Sequence, residues 1–215
     1  MSEEAGSTGA RFNTLLAEAG QAPLDLAKAE AFESYLSLIL RWNARVNLTA
    51  IRDEDGILRR HFVESIACAR ALPVGISTLL DFGSGAGFPG IPIALCRPEI
   101  AVTLAESQNK KAAFLREAIR VLGVTIMVHS GRAEVLRTDF DCVALRAVDK
   151  MGSAVHAAAQ LVRPGGWLAL MTTGKEVDAL KVAAGAVFTW ALPFPLPGSE
   201  DRMLALGQHA LSSPA

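Results

Sequence analysis

The stretch "STLLDFGSGAGFPGIPIALCRPE", residues 77–99, constrains the fold more than any other part of the chain. A short apolar run stops at a loop with glycines at 83, 85, 87 and 90, and the apolar segment "IPIALCR" follows. An apolar run bounded in this way reads as a buried strand, and the segment after it as a helix. Glycine adopts positive φ and lets another molecule approach the backbone closely. Pro89 and Pro92 fit the first helical turn, where backbone N–H groups have no intrahelical partner. A strand, a glycine loop and a helix open a βαβ unit. Its loop lies at the carboxyl end of the sheet, where α/β proteins bind ligands.

The alternation continues downstream. "AVTLAE" at 101–106 reads as a strand, and "NKKAAFLREAIRVLG" as a helix stopped by Gly123. "VTIMVHS" and "FDCVALRAV" read as further strands, and a helix follows. In "LVRPGGWLALMTT", Pro164-Gly165-Gly166 reads as a turn between that helix and another strand. Pro193, Pro195 and Pro197 before "RMLALGQH" fit edge strands. Upstream, 11–72 is helical in pattern, with Phe32, Tyr35, Leu36, Ile39 and Leu40 at spacings of three and four. A second amphipathic stretch runs from about Asp55 to Leu72, and the polar "RWNARVNLTAIRDEDG" between the two reads as a loop. The expected fold is one α/β domain over 1–215. It comprises a tail at 1–10, a helical N-terminal extension at 11–72, and a mostly parallel sheet flanked by helices at 77–210.

With 51% hydrophobic residues, a chain of 215 residues builds a packed core. A net charge of −1 gives no global sign of a nucleic-acid partner, but it leaves room for local basic patches. Cys68, Cys96 and Cys142 are odd in number and widely spaced, so reduced core thiols are expected, with no disulfide framework and no metal site. The N-terminal "MSEEAGSTGARF" is polar and acidic, unlike a signal peptide, and no apolar run reaches the ~18 residues of a membrane span. A soluble cytoplasmic protein is expected.

Three ligands suit the glycine loop. A nucleoside triphosphate loop requires a lysine after the glycines, and none is present. A dinucleotide pattern GxGxxG is met by Gly85, Gly87 and Gly90, but it starts two residues late and places Pro89 at the helix start. Read from Gly83, the pattern is GxGxG, with Phe88 where the third dinucleotide glycine belongs. That form suits S-adenosylmethionine, whose ammonium group Asp81 is placed to attract. Glu106, about twenty residues on, suits the ribose hydroxyls of either cofactor. The remaining reading is a tight structural turn.

The segments "DFGSGAGFPGIP", "TLAESQNKKAAFL", "GRAEVL" and "LRAV", with "RWNARVNLTAIRD" and "RRHFVESI" upstream, resemble the ribosomal RNA small subunit methyltransferase G family, also called glucose-inhibited division protein B. The resemblance covers roughly residues 30–175 and implies a Rossmann-like class I methyltransferase fold. It further implies methylation, with S-adenosylmethionine, of guanine N7 in 16S rRNA, at the guanine 527 position of the 530 loop. Matched to the family, Gly83, Phe88, Ala133, Glu134 and Arg146 are cofactor positions beside Asp81, Gly85, Gly87 and Glu106. Arg146 has a possible orienting role, for which Asp149 is a candidate carboxylate. The family's usual lysine after the next strand is replaced by Thr173, with Lys175 two residues on.

Residues 41–61 hold five arginines against Asp53, Glu54 and Asp55, a local charge of +2, and 106–120 hold four basic residues against two acidic ones, again +2. Arg41, Arg45, Arg59, Arg60, Lys110 and Lys111 are therefore RNA-contact candidates, with an ordinary solvated face as the alternative. His61 suits a catalytic base, but is expected to pack or hydrogen-bond beside Glu64 and the 41–50 loop; Trp42 is expected at a core or staple position, with stacking on a base as the alternative; Asn43 and Asn47 fit loop caps and RNA contacts equally. The expected partner is 16S rRNA or the small ribosomal subunit, for a monomer with no stable protein partner. A nicotinamide-dependent oxidoreductase and a non-catalytic S-adenosylmethionine-binding module are the rival readings.

Overall fold

The computed structural model describes residues 8–199 and 201–211. The chain opens with α1 (Thr8–Glu18) and α2 (Leu26–Asn43). Asp25 caps α2 by accepting from the Lys28 amide at 2.9 Å. After an irregular segment, α3 (Glu54–Ile57) runs into a π-helical stretch (Leu58–Val63) and then α4 (Glu64–Ala71). The α/β part follows as β1 (Thr78–Phe82), α5 (Gly90–Cys96), β2 (Ala101–Glu106), α6 (Asn109–Leu122) and β3 (Ile126–Ser130). It continues as β4 (Phe140–Arg146), α7 (Met151–Ala159), β5 (Val162–Thr173), α8 (Val177–Ala184), β6 (Phe188–Trp190), β7 (Phe194–Pro195) and β8 (Arg202–His209).

The sheet order is β3-β2-β1-β4-β5-β8-β6, with β7 also paired to β8. The strands from β3 to β5 are mutually parallel, and β8 is antiparallel to β5 and to β6. The mostly parallel, Rossmann-like sheet expected from the alternation is present. Successive side chains of a strand face opposite ways, and the core divides accordingly. Leu79, Leu104, Cys142, Ala144 and Met171 join the apolar faces of α2, α4, α5 and α6. Leu80, Phe82, Val143, Leu145 and Leu170 pack with α7 and α8 on the other face. Gly123 ends α6 with φ 64°, as its position predicts. Cys68 and Cys142 are buried, Cys96 is half-buried, and all three are free; burial pushes the Cys68 thiol up to about 12.

Three expectations need correction. The expected tail at 1–10 is in part the first turn of α1, which begins at Thr8; residues 1–7 lie outside the described residues. Pro164-Gly165-Gly166 does not separate a helix from a strand. It lies within β5, where the register with β4 shifts between the pairs Phe140–Val162 and Cys142–Trp167. "RMLALGQH" is an interior strand, because β8 lies between β5 and β6, and the prolines precede it on β7 and its flanks. α8 and β6 have no counterpart in the sequence reading.

The helical extension packs directly on the glycine loop. Phe12, Phe32, Tyr35, Phe62 and Phe88 form a continuous aromatic cluster, with Tyr35 stacked on Phe62 at 5.2 Å and Phe62 against Phe88 at 5.6 Å. The Tyr35 hydroxyl, completely buried, donates to the Ala86 carbonyl. A buried tyrosine hydroxyl needs such a partner, and here the partner is the loop itself.

Candidate functional site

A cleft of about 620 Å³ opens at the carboxyl ends of β1, β2 and β4. One wall is the loop after β1, where Gly83, Gly85 and Gly87 have φ of 78°, 56° and 91°. The Gly83 and Ser84 amides both donate to the Ala105 carbonyl at 3.0 Å, which ties the loop to β2. Gly85 and Gly87 differ in function. A Cβ at Gly85 would meet nothing within 4 Å, so its bare backbone faces open space in the cleft wall. A Cβ at Gly87 would fall 2.5 Å from Ile91 Cδ1 and 2.7 Å from the Tyr35 hydroxyl. Gly87 does not line the cleft; it lets the loop pack against the helices behind it.

Glu106, at the end of β2, lines the cleft. Its Oε2 accepts from the Gly85 amide at 2.9 Å and its Oε1 from the Gln108 amide at 2.7 Å. A carboxylate has about four acceptor positions, so two bonds fix its orientation and leave capacity for a diol. Ala133 and Glu134, in the 3₁₀ turn Ala133–Val135, line the far side, and Glu134 is paired with Arg132 at 2.8 Å.

Asp81 departs from its expected position. It is fully buried, does not line the cleft, and accepts from the Gly90 amide at 3.0 Å through Oδ2, while Oδ1 has no partner. Burial pushes its carboxyl up to about 7, against the opposing effect of the Gly90 amide. Asp81 therefore anchors the start of α5 from beneath and is not in reach of a ligand in the cleft.

The remaining wall comes from the N-terminal extension. Arg146, at the end of β4, lines the cleft with its side chain only 7% exposed. Its Nη2 donates to Glu64 Oε2 at 2.9 Å and to the Arg60 carbonyl, its Nη1 faces His61 Nδ1 at 2.8 Å, and its guanidinium lies 5.8 Å from the Phe88 ring centre. The carboxylate that holds Arg146 is Glu64, not Asp149. Glu64 is fully buried and also takes Arg60 at 3.1 Å and Arg202 at 3.8 Å. Only Glu64 balances these three guanidiniums among the ion pairs of the described residues, and the Nε atoms of Arg60, Arg146 and Arg202 are without hydrogen-bond partners.

The guanidinium fixes the state of His61. A guanidinium only donates, so Nδ1 accepts and the ring proton is on Nε2. Nε2 lies 2.7 Å from Thr49 Oγ1. Burial and the charges of Arg146 and Arg60 push the His61 pKa down to about 3. His61 is thus neutral with no free lone pair, packed at 4.8 Å over Phe88, as its expected packing role requires.

The basic candidates are dispersed. Arg41 pairs with Glu117 at 3.1 Å, and with Arg45, Trp42 and Val46 it lines a second hollow of about 220 Å³. Trp42 is half-buried, edge-on to Phe114, with its indole N–H on Glu117 at 3.0 Å. Arg59 pairs with Glu18 and Arg60 with Glu64. Lys110 is exposed, and Lys111 lines the main cleft. Thr173 and its neighbour Thr172 bond to Glu176, and Lys175 is exposed; none of them lines the cleft. The sequence placed Glu64 and the 41–50 loop beside His61, but not Glu64 as the carboxylate that holds Arg146, nor Thr49 as a cleft-lining partner of His61. The fold brings Arg146 to Glu64 and His61 to Thr49, although a glutamate inside the apolar "HFVESIACA" is a signal that a buried partner is required.

The strand order and the antiparallel β8, with a cleft beside the glycine loop, give the chain the Rossmann-like fold of class I methyltransferases. Solved structures share the architecture: a methyltransferase from Pyrococcus furiosus superposes with a TM-score of 0.60 at 14% identity, covering 85% of this chain and all of that one. TYW2 from M. jannaschii, solved with AdoMet, gives a TM-score of 0.57 at 14% identity over 70% of this chain and 76% of that one.

Sequence similarity narrows the class. The family model GidB, rRNA small subunit methyltransferase G, matches residues 28–189. The ribosomal RNA small subunit methyltransferase G of Roseiflexus sp. (strain RS-1) is 39% identical over 198 residues, 85% of this chain and 84% of that protein. Its counterpart in Xanthomonas euvesicatoria pv. vesicatoria is 40% identical over 185 residues, 83% and 85% of the two chains. The chain belongs to the rRNA small subunit methyltransferase G family.

Proposed function

We propose that the protein methylates N7 of a guanine in 16S rRNA, at the 527 position of the 530 loop, using S-adenosylmethionine. Family membership supports ribosomal RNA methylation. The site itself fits the cofactor: Gly85 offers bare backbone at positive φ toward open space, and Glu106 retains acceptor capacity for ribose hydroxyls. Gly83, Gly85, Phe88, Glu106, Ala133, Glu134 and Arg146 would hold it. When bound, the cofactor supplies a methyl group on a cationic sulfur.

The observation that carries the choice of N7 is the state of His61. It is the side chain at the cleft best suited to act as a general base, and both its ring nitrogens are engaged. Guanine N7 has an in-plane lone pair and no proton to lose, so the transfer needs alignment and exclusion of water but no base. Arg146 orients the wall, with its charge offset by Glu64. A base presented from a single-stranded loop exposes the required edge. Small subunits from cells lacking this gene should, on incubation with purified protein and S-adenosylmethionine, acquire 7-methylguanosine at one position of 16S rRNA. A methyl group on another atom, or on another RNA, would refute the assignment.

A further inference from the structure

The hydrogen-bond chain that ends on Thr49 leaves one donor with no use inside the protein. Arg146 can only donate, so His61 Nδ1 accepts; Nε2–H must then donate, and its partner is Thr49 Oγ1 at 2.7 Å. The Ile51 amide donates to the same oxygen at 3.2 Å. A hydroxyl oxygen has two acceptor positions, and both are filled, so its remaining direction carries the hydrogen. No described group accepts that hydrogen, and Thr49 lines the cleft. The residue is also held rigidly. Asn43, itself buried, accepts from the Thr49 amide at 3.1 Å and donates to the Thr49 carbonyl at 3.0 Å.

We propose that the Thr49 hydroxyl donates to O6 of the target base and so selects guanine over adenine. This rests on the guanine-N7 reading above. Methylation at N7 requires the edge that carries N7 to enter the cleft. On that edge guanine presents a second acceptor, O6, whereas adenine presents an amino donor. A fixed donor beside the reacting position therefore welcomes guanine and repels adenine. The donor's neutrality matters too. N7 methylation leaves the base cationic, so a guanidinium at O6 would oppose the step. The relay from Arg146 through His61 to Thr49 transmits orientation without bringing the charge to the base. Thr49 is in this reading a specificity residue that touches substrate, and His61 a positioning residue.

The test uses small subunits reconstituted with 16S rRNA ligated to carry guanosine, inosine or 2-aminopurine riboside at the target position. Inosine keeps O6 and N7; 2-aminopurine keeps N7 and lacks O6. Thr49→Val should lower kcat/KM about tenfold or more on guanosine and inosine, the scale of one lost base contact, and leave the rate on 2-aminopurine unchanged. Thr49→Ser should restore the guanosine rate. Calorimetry should find cofactor affinity unchanged in both variants, which shows that the valine protein is folded. An equal loss on all three substrates, or a valine variant with the wild-type preference, overturns the assignment of Thr49 and leaves the N7 reading standing. If the wild-type protein makes no 7-methylguanosine from the guanosine substrate, the N7 reading fails, and this inference with it.

Discussion

At the scale of single residues, glycines three and five positions past the same strand answer to different physics. Gly85 is needed for what approaches from outside, Gly87 for what packs from inside. Gly85→Val should abolish measurable cofactor binding in calorimetry, because a β-branched side chain would fill the cleft wall and resist φ near 56°. Its stability to unfolding should fall only by the conformational cost, about 1–2 kcal/mol. Gly87→Ala should reverse the pattern. Its Cβ meets Ile91 and Tyr35 well inside contact distance, so stability falls first, and affinity falls only as far as the loop is displaced. A Gly85→Val protein that binds the cofactor normally would remove the loop from the site.

At the scale of elements, the segment between α2 and α3 is a polar loop, as expected from the sequence, yet it is not loosely held. Asn43, the last residue of α2, accepts from the Leu48 and Thr49 amides and donates to the Thr49 and Ile51 carbonyls. Asn43→Ala should cost about 2–3 kcal/mol, because it strands these backbone groups with no replacement partner. Amide exchange at 48 and 49 should rise well above that of the sheet, and unchanged protection would contradict this account. The parallel strands and α6 were legible because their apolar runs and 3.6-residue stripe are local properties. The pairing of Glu64 was not, since Arg146 is 82 positions away in sequence, and a glutamate inside an apolar helix signals that a buried partner is needed without saying which. The placement of β8 was hidden for a similar reason. Three nearby prolines suggest an edge, but the prolines occupy the approach, and the strand itself carries an uninterrupted set of donors. Asp81 was misjudged because a carboxylate before a glycine loop suits an ammonium and an internal amide equally well.

At the scale of the whole molecule, two buried groups oppose each other across the acid range. His61 titrates near 6.5 when unfolded and at about 3 when folded, so the unfolded chain binds the extra proton and stability rises with pH through that interval. Asp81 titrates at 3.8 unfolded and at about 7 folded, so the folded chain binds the extra proton and stability falls as pH rises. Each slope is about 1.4 kcal/mol per pH unit, and between about pH 4 and 6.5 they cancel. Wild-type stability should therefore be nearly flat there with respect to these two groups. In denaturant titrations, Asp81→Asn should become more stable with rising pH and His61→Asn less stable; parallel curves for all three proteins would contradict the burial of either group. The position of β8 has a consequence for the order in which the molecule is made. Every residue lining the main cleft lies between Leu48 and Asp149, so the nascent chain holds all of them before residues 202–209 exist. β6 also precedes these residues, and its strand partner is β8. Until that segment emerges from the ribosome, β5, an interior strand in the finished sheet, is an open edge able to pair with a neighbouring chain. Biosynthesis thus delivers the binding half first and seals the sheet with the last of the described strands to appear.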